Sequence, residues 1–182
     1  RLKNIRLVII QSLNDRKLLI YGYGEPLEIE VEKVLKEIGF EVERRLNKRT
    51  DYILKYKDKV AVMELKGLKG SGKEKDSRQI ETWINDYHSE TDIVPKGLLV
   101  LNTWREKPLE QRVDENFPSE MAKYSKRNNH CLVTSIQLLA ISIEIKNNPS
   151  KKEEIIESLL NATGVYTKYK KWENYFQLDK EE

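Results

Sequence analysis

Asp51, Glu64 and Lys66 are the residues whose types and spacing could do chemistry. Two apolar runs, Asp51-Tyr52-Ile53-Leu54 and Val60-Ala61-Val62-Met63-Glu64-Leu65-Lys66, are joined by the polar stretch Lys55-Tyr56-Lys57-Asp58-Lys59. That connection is too short for a crossover, so the spacing predicts an antiparallel hairpin. Alternation along a strand places Val62, Glu64 and Lys66 on one face and Ala61, Met63 and Leu65 on the other, with Glu64 and Lys66 about 6–7 Å apart along the strand. Two carboxylates roughly 5 Å apart repel by about 3 kcal/mol at an effective dielectric near 20, so a converging pair calls for a cation between them. Mg²⁺ suits the place, and Mn²⁺ is an acceptable substitute: Mg²⁺ takes oxygen ligands, keeps several waters and accepts one or two carboxylates together with phosphate oxygens. A bound ion acidifies water and polarises a phosphoryl group, while a neighbouring lysine orients the nucleophile or neutralises growing charge. An acid on one strand and acid-x-lysine on the next is therefore the minimum set for metal-assisted phosphodiester hydrolysis. An E-x-K triplet alone occurs by chance in charged chains; here it closes an apolar strand that reads as buried.

The elements around the hairpin are those that would position the set. Upstream, residues 26–40 read as a helix, with Leu27, Val31, Val34, Leu35 and Ile38 forming an apolar stripe and Gly39 a C-terminal stop. Glu28, Glu30 and Glu32 on that helix are candidate further acids. Downstream, Gly67 to Arg78 is a loop rich in glycine and cations that can approach a phosphate backbone. Lys69, Ser71, Lys73 and Arg78 are its candidate nucleic-acid contacts. A helix follows, with Ile80, Trp83, Ile84 and Tyr87 at helical spacing and Asp76 or Ser77 as cap.

Helix, strand with Asp, strand with Glu-x-Lys, then helix: from about Gly24 to Thr134 this order resembles the PD-(D/E)xK nuclease superfamily. The resemblance implies an α/β, restriction-endonuclease-like fold, a mixed β-sheet flanked by helices, here with a C-terminal helical extension. It implies a Mg²⁺-dependent nuclease, acting on DNA in preference to RNA, with Glu28, Asp51, Glu64 and the Leu65 carbonyl on the metal. Glu28, eleven residues before Gly39, resembles the early helix acid of Mrr-type and Holliday-junction-resolvase proteins. Lys66 would assist water attack. Gln79, four residues before Trp83, is similar to the Gln-x-x-x-Tyr element of RecB-type domains and would position water or substrate. Thr50 departs from the family pattern, which has proline before the acid. The competing class is a nuclease-like fold that binds nucleic acid or a partner protein without cutting.

Gly67-x-x-x-x-Gly72-Lys73 also matches most of a phosphate-binding loop between a strand and a helix. Glu74 stands where that motif needs a hydroxyl for Mg²⁺, and the later strand Gly97–Leu101 is followed by Asn102 rather than an acid. These departures argue against an NTPase.

A net charge of +3 supplies no global basic field, so any nucleic-acid footprint must be local. Cys131 is the single cysteine, which excludes an internal disulfide and suits a reducing, cytoplasmic setting. His88 and His130 have no cysteine pair with which to build a zinc site. No apolar run reaches membrane-span length.

Residues 24–149 read as the nuclease core and 150–182 as an extension packed on it. Residues 1–23 read as a linker remnant or the end of a preceding domain. The chain starts at Arg1, and Ile5 to Ile10 is an apolar strand or helix fragment. The resemblance implies an upstream regulatory domain, and a homodimer would suit two cuts on a duplex. Within the core, Gly97–Asn102 and Cys131–Thr134 read as strands and residues 103–118 as a surface excursion near the strand ends. Residues 118–128 read as a helix, followed by an apolar helix from Ser135, its candidate cap, and another over residues 152–160. Tyr166, Tyr169, Trp172, Tyr175 and Phe176 in the tail serve core packing, or else base stacking.

Overall fold

A computed structural model describes residues 16–45 and 52–178. The elements in order are α1 (Lys17–Tyr21), α2 (Gly24–Ile38), β1 (Glu41–Arg44), β2 (Tyr52–Tyr56), β3 (Lys59–Gly67), α3 (Glu74–Thr91) and β4 (Lys96–Asn102), then α4 (Ser119–Arg127), β5 (His130–Thr134), α5 (Ser135–Asn147), α6 (Lys152–Asn161) and β6 (Gly164–Val165). Short 3₁₀ turns lie at Leu109–Gln111, Pro149–Lys151 and Trp172–Asn174.

The strands form one six-stranded sheet in chain order. β1, β2 and β3 pair antiparallel, which confirms the hairpin, with Tyr52 opposite Met63 and Tyr56 opposite Lys59. β3 to β6 pair parallel, each connection crossing over through helix or long loop. The carboxyl ends of β3, β4, β5 and β6 therefore share one edge of the sheet, which is where an α/β fold gathers its ligands.

Period-two alternation divides the core into two layers. Ala61, Met63, Leu65, Leu98, Val100, Cys131 and Val133 face α1, α2, α5 and α6. Ile53, Val62, Leu99, Leu101 and Leu132 face α3 and α4. Val62 and Ala61 thus lie on opposite faces, as the strand pattern requires. The tail joins the first layer: Tyr166 and Phe176 are buried there, and Tyr169, Trp172 and Tyr175 pack against it. Core packing is the use Tyr166 and Phe176 find. Leu19 and Ile20 of α1 are buried in the same layer.

Three boundaries differ from the sequence reading, each for a local reason. α2 starts at Gly24 and ends where Gly39, with φ +123°, caps it by donating to the Leu35 carbonyl. α3 begins at Glu74, because Asp76 acts from inside the first turn: its carboxylate reaches back to the Lys73 N–H at 2.9 Å. α5 follows β5 without a loop, so the last strand residue, Thr134, supplies the cap in place of Ser135. Thr134 Oγ1 accepts from the Gln137 N–H at 3.1 Å, and the Gln137 side chain accepts from the Thr134 N–H at 3.0 Å. Ser135 instead donates to the Leu19 carbonyl at 2.6 Å.

Residues 103–118 run over the carboxyl ends of the strands, as expected, and one side chain organises them. The Arg112 guanidinium donates to the carbonyls of Ile20 at 2.7 Å, Lys107 at 2.9 Å and Thr103 at 3.2 Å, and to Asn102 Oδ1 at 3.3 Å. Asn102 in turn donates to the Gly22 carbonyl at 2.8 Å. The excursion, the α1–α2 turn and the end of β4 are thereby one unit. Removing the guanidinium leaves several buried carbonyls without donors, so Arg112→Ala should lower unfolding stability by about 2–4 kcal/mol in urea titration.

At the opposite edge, His130 is fully buried, with Nε2 at 2.8 Å from Glu81. Burial pushes its imidazole below the ordinary value of 6.5, against the upward pull of the Glu81 carboxylate. A depressed folded value means the unfolded chain takes up the proton first as pH falls. Stability should therefore be fully present above about pH 6.5 and decline below it, and His130→Gln should flatten that decline in melts across pH 5–8.

Candidate active site

Glu64 and Lys66 sit at the carboxyl end of β3 on the face covered by α3. The Glu64 side chain is buried, and a buried carboxylate needs donors. It finds one in Trp83, whose indole N–H donates to Oε2 at 2.7 Å. The other oxygen lies 3.6 Å from Lys66 Nζ. Lys66 Nζ donates to Asp76 Oδ1 at 3.0 Å, and Asp76 Oδ2 accepts from the Lys73 N–H. A continuous polar relay therefore runs from Trp83 through Glu64, Lys66 and Asp76 to the backbone at the start of α3. Helix geometry makes it possible, because Asp76 and Trp83 are seven residues apart, two turns and about 10 Å along one face. Gln79, half-buried, lies between them on that face.

Glu28 approaches from the other side. A cleft of about 280 Å³ is lined by Leu27 and Glu28 of α2, by Leu65 and Lys66 of β3, and by Gly24, Gly67 and Leu68. The Glu28 carboxylate accepts from Arg44 at 2.6 Å and remains partly exposed. Its rivals point elsewhere: Glu30 is buried against Arg16, and Glu32 pairs with Lys36 at 2.6 Å. Glu28 is thus the helix acid that shares a cleft with Lys66. Leu65 turns its side chain into the core layer it shares with α2, opposite the face of Glu64 and Lys66.

The geometry of Gly67 fixes the floor. A Cβ there would fall 2.7 Å from the Tyr23 Cβ and 2.8 Å from the Gly22 carbonyl oxygen. Gly72, for its part, packs where a Cβ would strike Leu101 and Met121 at 2.6–2.8 Å. Gly67 and Gly72 serve close approach to the chain itself, and this accounts for a phosphate-loop-like pattern without phosphate chemistry.

The remaining sequence-predicted residues are distributed as follows. Asp51, like Thr50, lies outside the described residues. Among the described residues no three His, Cys, Asp or Glu side chains converge as a metal-holding group. Of the basic loop, Lys69 pairs with Glu106 at 3.0 Å. Arg78 is engaged by Glu74 at 2.5 Å and lies over the Tyr124 ring. Lys73 is exposed and Ser71 half-buried. Cys131 is buried and its thiol is pushed up to about 12, so it stays protonated at neutral pH.

Asp76 is the site residue that sequence reasoning assigned to capping alone. Its second role was signalled by the helical repeat that places it with Gln79 and Trp83. Trp83 was read by its aromatic type; the indole N–H, which needs a partner when buried, was the sign of its contact with an acid.

A mixed sheet with two helical layers, carrying an acid and a lysine at the end of a central strand, is a restriction-endonuclease-like fold. The small subunit of the heterodimeric restriction endonuclease R.BspD6I is similar to it across 91% of this chain and 95% of that one, with a TM-score of 0.54 and 15% sequence identity. That likeness is one of fold. No family model and no curated protein matches the chain.

Trp83→Phe keeps the ring volume near the core but removes the donor to Glu64. Urea unfolding should show a loss of about 1–3 kcal/mol, most of it recovered when Glu64 is also replaced by an apolar residue, since the cost is that of an unpaired buried carboxylate.

Proposed function

We propose that this chain is a metal-dependent nuclease that hydrolyses phosphodiester bonds in nucleic acid, DNA in preference to RNA. The observation that carries the reading is the pairing of Glu64 with Lys66 at a strand end of a restriction-endonuclease-like sheet, where Lys66 also shares a cleft with Glu28. The Glu64 carboxylate is buried with one neutral N–H and a lysine 3.6 Å away, an environment to which a divalent cation adds compensating charge. Glu28, Asp51, Glu64 and the Leu65 carbonyl would hold Mg²⁺ or Mn²⁺. Asp51 joins them on its sequence position, one residue before β2. The ion, when bound, would lower the pKa of its water and polarise the phosphoryl oxygen.

The chain's own residues do the rest. Lys66 would hold the attacking water or the phosphate oxygen, its ammonium aimed by Asp76 at 3.0 Å. Gln79, on the α3 face between Asp76 and Trp83, would orient that water. Lys69, Lys73, Ser71 and Arg78 would contact the strand backbone as it enters. The heterodimeric assembly of the structural neighbour supports a reading in which a second subunit, identical or not, completes a two-strand cut.

The test is cleavage of single- and double-stranded DNA and RNA in Mg²⁺, Mn²⁺ or EDTA. The parent should cut with metal alone, and Glu64→Ala and Lys66→Ala should each lose about 10²-fold or more in rate. Cutting that persists in EDTA, or undiminished in Glu64→Ala, overturns the proposal.

A further inference from the structure

The sheet edge that holds the Glu28–Lys66 cleft also holds a larger cavity. It encloses about 620 Å³ at the carboxyl ends of β4, β5 and β6, where Thr103, Thr134 and Val165 line it. Its size is that of a small-molecule site, and its position is the crevice in which open α/β sheets seat ligands. The wall is apolar at Phe117 and Val165 and at the half-buried Trp172, whose indole stacks on Phe176 at 5.2 Å between centroids. Lys123 and Lys170 also line it and are exposed. Of the two acids present, Asp114 is tied to Lys107 at 2.5 Å, while Glu115 is exposed. The first turns of α4 and α5 contribute Ser119 and Ile136, and Pro118 at the N-cap of α4 supplies no side-chain cap.

A bare anion would leave the aromatic wall unused, and an apolar ligand would leave the lysines unused. A heteroaromatic ring carrying phosphate uses both. We propose that this cavity is a nucleotide-binding site, with the base against Trp172 and Phe117 and the phosphate toward Lys123 and Lys170. Glu115 is placed to accept from a sugar hydroxyl or a base amino group.

The sheet register relates the cavity to the cleft. Lys66 pairs with Leu101 and Leu101 with Thr134, so cleft and cavity lie two strands apart, about 10 Å. An unpaired nucleotide of the strand whose phosphate lies at Lys66 reaches the cavity, and a free nucleotide has the same chemistry. The strand placement rests on the nuclease reading; the cavity's ligand chemistry does not.

Binding is measured by calorimetry in EDTA, where no metal-dependent cutting occurs, using dAMP and, separately, a short single-stranded DNA. The parent should bind at least one of them with submillimolar affinity. Trp172→Ala and the double variant Lys123→Glu, Lys170→Glu should each weaken that binding at least ten-fold with circular dichroism unchanged. Lys146→Glu, an exposed lysine on the last turn of α5, should bind as the parent does. Binding of dAMP with this residue dependence identifies a free-nucleotide site, and binding of the oligonucleotide alone identifies a strand subsite. Absence of binding by either probe up to millimolar concentration, or binding indifferent to Trp172 and the two lysines, overturns the proposal. Cutting assays in Mg²⁺ report on Glu64 and Lys66 separately, so the two readings can fail independently.

Discussion

The seam between β3 and α3 is an apolar interface crossed by charge, and the arrangement of the site follows from how that charge is satisfied. Lys66 and Asp76 meet at 3.0 Å and Glu64 and Trp83 at 2.7 Å within a layer otherwise built from Val62, Ile80 and Leu101. A hydrogen bond to a charged group contributes about 1.5–3 kcal/mol, whereas a buried charge stripped of its partner costs more than the pair contributes. Each member therefore constrains the next. Asp76 is the hinge of the set, because the same carboxylate that holds Lys66 also accepts from the Lys73 backbone. Helix start, loop end and lysine position are fixed by one side chain.

The sheet topology explains why the polar groups collect where they do. An antiparallel hairpin introduces β3, and the parallel half of the sheet then brings β3, β4, β5 and β6 to a common edge. On that edge the strands end at Gly67, Asn102 and Thr134, and the polar side chains of Asn102 and Thr134 are buried there with hydrogen-bond partners. Arg112 then joins the excursion after β4 to α1 through carbonyls on both, and Asn102 ties the end of β4 to the α1–α2 turn. The cleft's floor at Gly67 and the wall of the larger cavity are in this way braced by the same chain of contacts.

Much of this architecture was legible in the residues, and the limits of legibility are physical. The hairpin, the strands at 97–102 and 131–134, the amphipathic stripe of α2 and the stop at Gly39 followed from period and turn chemistry, which are local. The acid and lysine of β3 were legible because they interrupt an apolar strand at its end. Contacts that join segments far apart in sequence were not: Asp76 lies ten residues from Lys66 and Trp83 nineteen from Glu64, and pairing them requires the helix to be laid on the strand in the right rotation. The Thr134 cap was missed by one residue because strand and helix share a junction with no loop between them. The larger cavity had no local signature at all, since its lining is drawn from the excursion, α4, α5, β6 and the tail.

The two rims of the sheet carry a consequence for self-association. β1 is four residues long and bears Glu41, Glu43 and Arg44, while β6 is two residues long. Short, charged rims are poor templates for a foreign strand, because they offer few unpaired backbone groups and repel a like copy. Among the described residues the fold is in this respect guarded against growing sideways into continuous ribbons.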